Sequence, residues 1–386
     1  MLYFSIVGLC FFMASPFSAF GAEKKAPKVV PVKEEMGGLF VTVSNLLPLV
    51  LSKADFENKK NAKEISSQMN KLATLTKKMA ANTSRFADSD PSIGYISERF
   101  AGDIRYAIDM WNTGDRIVPR RILRNVTDYC ISCHTRTGKG LHFGQVNLPR
   151  AFKSMPALSR AEYLLATRQF EDALKAYEIV LIDTSIAKTN PEGWSTAVHK
   201  MLAVTIRVKN DPFLTLEMIS RIQDHPDSMP SALQADVAEW RRGAKSWLDE
   251  KKSKLENDDQ KYLAVVRLMK EADAAALVAP GGALVQHMRA STILHEVLGR
   301  VRGGPHYQDM LWRAGESAFY LRNFNLWTLQ DIYYEQCARV GGDSDLSKKC
   351  FNALEESMVT SYGVTTKNGL PEFIKVRLES ISSKLK

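Results

Sequence analysis

Through residues 36–137 the apolar side chains recur at steps of three and four, the period of helices that each bury one face. The first stretch, Met36 to Leu51, places Met36, Leu39, Phe40, Val43, Leu46, Leu47 and Val50 in one stripe. Gly37 and Gly38 weaken it, and Pro48 predicts a kink. A second helix is predicted from about Asp55 to Ala81, with Ile65, Met69, Leu72, Leu75 and Met79 on its apolar face. A third follows the stop-and-start signal Asp90-Pro91 and carries Ile96, Phe100, Ile104, Ile108 and Trp111. The fourth starts at Pro119, a residue suited to a first helical turn, and ends near Gly138-Lys139-Gly140. Its apolar face holds Ile122, Val126, Tyr129, Cys130 and Cys133. Four amphipathic helices with short connections predict an antiparallel bundle over residues 36–148.

Beyond Leu148-Pro149 the helical period continues to the end of the chain, so an all-α fold is expected throughout. The segment from Ala161 to Tyr177 resembles a tetratricopeptide repeat. Small Ala161 and Ala173 would let two helices approach, with Phe170 at the turn and Tyr177 between them. A second pair runs from Trp194 to Val208 and from Phe213 to Ile222, across Asn210-Asp211-Pro212. A third, Met310 to Arg339, places Ala314-Gly315, Ala318, Phe324 and Tyr333 comparably. Residues 149–386 are therefore expected to form an α-solenoid with a concave face for a protein partner, a compact helical domain being the alternative. Cys337 and Cys350 flank the turn at Gly341-Gly342-Asp343; a disulfide stapling that hairpin is favoured over two buried thiols.

The first residues change the picture of compartment. Met1 to Met13 are almost wholly apolar and no charge precedes Glu23, while Ala19-Phe20-Gly21 offers small residues for cleavage. Residues 1–21 are thus expected to be a signal peptide and 22–35 a linker, with the mature protein in the periplasm and without a transmembrane segment. The uninterrupted apolar run is shorter than the roughly 20 residues that span a bilayer. Removing it leaves Cys130, Cys133, Cys337 and Cys350, an even number that suits an oxidising compartment. The net charge of +9 comes without a basic run interleaved with aromatics, so nucleic acid is not expected as a partner.

Candidate chemistry concentrates in Cys130-Ile131-Ser132-Cys133-His134, a CxxCH motif, the attachment signature of c-type haem. On a helix the three residues share one face, so two thioethers could hold the porphyrin edge while His134 takes an axial position on iron. A structural zinc site would need two more ligands at matching spacing, and only His142 is at hand. A thioredoxin-like CxxC would need a βαβ context.

Four helices with CxxCH near the end of the last resemble the cytochrome c-prime group, over the bundle region alone. In its Met-ligated members the sixth ligand is a Met near the start of the first helix, a position that matches Met36. The resemblance breaks at Gly138, where the group often has an Arg; Arg120, Arg121 and Arg124 are candidate counter-charges for the haem propionates. What the resemblance implies is an electron carrier with one covalent haem c, joined to a helical docking domain for a redox or assembly partner. Two rival readings are an open iron that binds a gas or peroxide, with peroxidase-like activity, and a haem-containing scaffold or sensor. No distal acid–base group is evident in the first helix, and no catalytic constellation appears among the scattered histidines.

Overall fold

In a computed structural model, residues 32–83, 91–134, 152, 155–250, 255–301, 303–322 and 329–385 are described. The proposed signal peptide, the linker before Val32, the segment from 135 to 150 with Gly138 and His142, and Phe324 lie outside the described residues. Every regular element among the described residues is helical. The first six helices are α1 (Val32–Leu51), α2 (Lys53–Glu57), α3 (Ala62–Thr83), α4 (Pro91–Asn112), α5 (Ile117–Arg124) and α6 (Val126–His134). Next come α7 (Ala157–Ala166), α8 (Phe170–Leu181), α9 (Thr184–Thr189), α10 (Pro191–Ala203), α11 (Pro212–Gln223) and α12 (Gln234–Asp249). The last six are α13 (Asp258–Val278), α14 (Leu284–Leu298), α15 (Tyr307–Arg322), α16 (Gln330–Val340), α17 (Asp345–Ser361) and α18 (Glu372–Ser382).

Local capping chemistry divides two of the helices expected from periodicity. The expected second helix is broken at Asn58, whose backbone N–H closes α2 while its side-chain oxygen accepts from the Lys60 N–H. The expected fourth is broken at Asn125, whose N–H turns back onto the carbonyls of Arg121, Ile122 and Leu123 before α6 begins. Apolar spacing continues across both breaks, so periodicity alone cannot see them. α1 runs through Pro48 to Leu51. Its last carbonyls, those of Val50 and Leu51, accept from the Arg120 guanidinium at 2.9 and 3.0 Å. Arg120 is thus a C-terminal cap for α1 rather than a spare counter-charge.

Among the described residues Glu34–Leu51 is long and apolar enough to cross a membrane by length and composition. Its Leu39, Val43, Leu46, Leu47 and Val50 are buried against other helices, as in a core helix.

Two large hydrophobic clusters form the core, with a small third of Ala272, Ala275 and Ala283. One joins α1, α2, α3, α4, α5 and α6; the other extends from α7 to the C-terminus. They interlock: Tyr163 of α7 sits in the first and Ile96 of α4 in the second, while Tyr129 and Phe152 pack against both. Residues 31–386 form one compact unit. A polar thread also joins the halves. Arg207 Nη2 lies 2.8 Å from His295 Nδ1, and because a guanidinium only donates, Nδ1 must accept. Nε2 therefore carries the proton of the neutral ring and faces the Tyr333 hydroxyl at 2.8 Å, which donates to Ser92 Oγ of α4 at 2.9 Å.

In the C-terminal half, α7 and α8 bury Ala161, Ala173, Phe170 and Tyr177. α14 is buried almost all round, the pattern of a central helix. Gly315 lets α15 approach α16 so closely that a Cβ there would lie 2.3 Å from the Tyr334 ring. Cys337 of α16 and Cys350 of α17 are joined as a disulfide, with Cα atoms 5.9 Å apart.

Candidate functional site

The CxxCH motif occupies the second half of α6, with Cys130, Cys133 and His134 on three consecutive positions of one helical face. The side chains of Cys133 and His134 lie outside the described residues. The Cys130 thiol points back along the helix, its Sγ 3.7 Å from the Val126 carbonyl. It lines a narrow apolar cavity of about 50 Å³, smaller than the space a bound cofactor fills. The other walls come from Met36, Leu39, Phe40 and Val43 of α1, Met79 of α3, and Ile96 and Phe100 of α4, with Ala166 and Thr167 at the end of α7.

Met36 reaches this cavity for a reason that lies in α3. The Asn82 amide donates to the buried Glu35 carboxylate at 2.8 Å, pinning the first turn of α1 to the last turn of α3. That contact sets Met36 and Met79 in the same wall. Met79 counts as ordinary core filler by periodicity, and nothing in the linear spacing marks it otherwise. The contribution of α7 is equally invisible in sequence, because it comes from a helix beyond the expected domain boundary.

Tyr129, one residue before Cys130, is fixed on the other flank. Its ring stacks on Phe100 with centroids 4.9 Å apart and planes within 9°. Its hydroxyl donates to Asp103 at 2.5 Å. Burial and that carboxylate hold the phenol protonated, well above its ordinary range. Asp128, two residues before Cys130, meets the Lys200 ammonium at 3.2 Å, and Glu162 of α7 meets the same ammonium at 2.8 Å. Burial pushes Asp128 above the usual carboxylate range, with Lys200 opposing. α6 is therefore tied to α7 and α10 by a buried cation that sequence spacing did not disclose.

The chemistry of the cavity wall bears on whether a porphyrin could bind there. Its lining is aliphatic, aromatic and thioether, Cys130 supplies a thiol for covalent attachment, and Met36 and Met79 supply soft sulfur donors of the kind haem iron accepts. In chemical type the described lining suits such a group. No protein family, curated protein or solved structure that was compared with the chain matches it.

Proposed function

We propose that the chain is an exported, periplasmic monohaem c-type cytochrome that carries single electrons, with haem c attached through Cys130 and Cys133 and His134 as an axial ligand. The observation that carries the reading is the position of Cys130, in a CxxCH helix, at the wall of an apolar cavity that also holds the Met36 thioether. Haem bound there would supply a one-electron iron couple. Met36 would serve as the sixth ligand, its soft sulfur favouring the reduced metal. The apolar walls would keep water from the site and stabilise the state with less net charge.

In this reading α1, α3, α4 and the broken pair α5–α6 correspond to the four helices of a cytochrome c-prime-like bundle. α7 to α18 correspond to a tetratricopeptide-like docking domain for a redox or assembly partner. The buried small residues Ala161 and Ala173, with Phe170 and Tyr177 beside them, support that correspondence for α7–α8. The Cys337–Cys350 pair supports an oxidising compartment.

The deciding experiment is a set of ferric and ferrous visible spectra on protein matured in a periplasm, with and without carbon monoxide, for wild type, Met36→Ala and Met79→Leu. A low-spin spectrum indifferent to carbon monoxide, lost in Met36→Ala and kept in Met79→Leu, supports His134–Met36 ligation and electron transfer. High-spin iron that binds carbon monoxide in the wild type refutes that assignment and brings forward the gas- or peroxide-binding reading. Absence of covalent haem from the wild type overturns both.

A further inference from the structure

α6 separates two cavities of opposite character. Cys130 lines the apolar one, whereas Asn125, Asp128 and Ser132 line a polar recess of about 620 Å³ that opens to solvent. At 100° per residue Asp128 and Ser132 fall on the face of α6 away from Cys130, and Asn125 lies just before the helix. Tyr129 and Ile96 border both spaces. The recess is walled by α4, α5, α6, α7 and α10, with Arg322 of α15 and Leu329 at its edge.

Its charges are unequally committed. Lys200 is already matched by Asp128 and Glu162, and Asp103, which accepts from Tyr129, also attracts the Arg99 guanidinium. Glu192 lines the recess as an exposed carboxylate. That leaves Arg121 and Arg124, neither of which makes an ion pair with a carboxylate among the described residues, while Arg99 and Arg322 share the field of Asp331. Arg99 donates to the Tyr95 hydroxyl at 3.2 Å, and Arg322 lies over the Phe319 ring at 3.8 Å. The first turn of the 13-residue α10, with Asn190 capping the Gly193 N–H, also faces the recess and adds the positive end of a helix.

We propose that this recess binds a small, multiply charged oxyanion, a polycarboxylate or a phosphate. Guanidinium groups meet carboxylate and phosphate oxygens through paired, charge-assisted hydrogen bonds, and several arginines around one space favour an anion carrying more than one charge. The Lys200 triad gives the recess a fixed floor, since the Lys200 side chain is 6% exposed and its ammonium is held from two helices. A propionate of haem shares this carboxylate chemistry, but the recess lies on the face of α6 away from Cys130. The proposal is independent of the haem reading.

The test is titration calorimetry of the full chain with citrate, inorganic phosphate and acetate, at ionic strength held constant with sodium chloride. Saturable one-site binding of citrate or phosphate is expected, at least about tenfold tighter than acetate. The double variant Arg121→Gln/Arg124→Gln should weaken it by roughly tenfold for each charge-assisted contact removed. Lys77→Gln/Lys78→Gln, an equal charge change on exposed positions of α3, should leave it unchanged. No saturable heat, or equal weakening by both double variants, overturns the proposal. So does unchanged anion binding in the arginine variant together with a shifted haem spectrum, which would assign those arginines to the propionates. The visible spectrum of each sample scores the haem reading separately.

Discussion

Replacing Lys200 by Met removes a buried ammonium and keeps most of its aliphatic volume. In the wild type the ammonium lies 2.8 Å from Glu162 and 3.2 Å from Asp128, with side chains 6%, 20% and 41% exposed for Lys200, Glu162 and Asp128. Breaking a fully buried ion pair costs about 3–5 kcal/mol, because the remaining charge is left without a partner. Asp128 reaches water through the polar recess, so the expected loss is at the lower end, about 3 kcal/mol at pH 7. The pH dependence has a definite sign. Without the ammonium, the folded-state Asp128 carboxyl rises further above the unfolded range near 4. The folded variant then binds protons that the unfolded chain has released, so acid favours its folded state. The gap to wild type should narrow between pH 7 and 5, by at most about 1.4 kcal/mol per pH unit as Asp128 titrates. Urea denaturation followed by circular dichroism at pH 7 and pH 5 measures both quantities. A gap below about 1 kcal/mol at pH 7, or one that widens in acid, would refute the assignment of Lys200 as the buried counter-charge.

Three further outcomes follow from single contacts. Gly315→Ala should destabilise by about 1–3 kcal/mol in a denaturant titration, since its Cβ would fall 2.3 Å from the ring of buried Tyr334; combining it with Tyr334→Leu should recover part of the loss. Burial pushes His199 and His287 down to about 3, so between pH 6.5 and 3 the unfolded chain takes up protons that the folded chain does not. Stability should therefore fall as pH drops through that window, by up to about 1.4 kcal/mol per unit per histidine, and His287→Asn should flatten the slope read from denaturation midpoints at pH 7, 6, 5 and 4. Cys350→Ser opens a link across a sequence separation of 13 and should lower stability by about 3 kcal/mol in the loop-entropy account, measured by the same titration under non-reducing conditions.

What the linear order of residues determined by itself is the local part. Helical periodicity specified an all-α chain, because spacings of three and four bury one face whatever the partner, and α4 starts at Pro91 as Asp90-Pro91 predicts. CxxCH needs only a helix to bring its three residues to one face, so the candidate attachment segment was legible before any tertiary contact. The breaks at Asn58 and Asn125 were not, because side-chain and backbone capping there competes with a helix whose apolar stripe runs on uninterrupted.

Tertiary structure alone decided everything that depends on which faces meet. It set Met79 beside Met36 through the Glu35–Asn82 bond, and it turned Arg120 onto the end of α1. It brought Thr167 from α7 to the cavity at Cys130, and Lys200 to Asp128 across 72 residues of chain. Long-range pairs carry no local signature, since a Lys that will be buried between two carboxylates has the same neighbours in sequence as one that will face water. Only the packing of helices chooses between them, by removing water from one side and leaving it on the other.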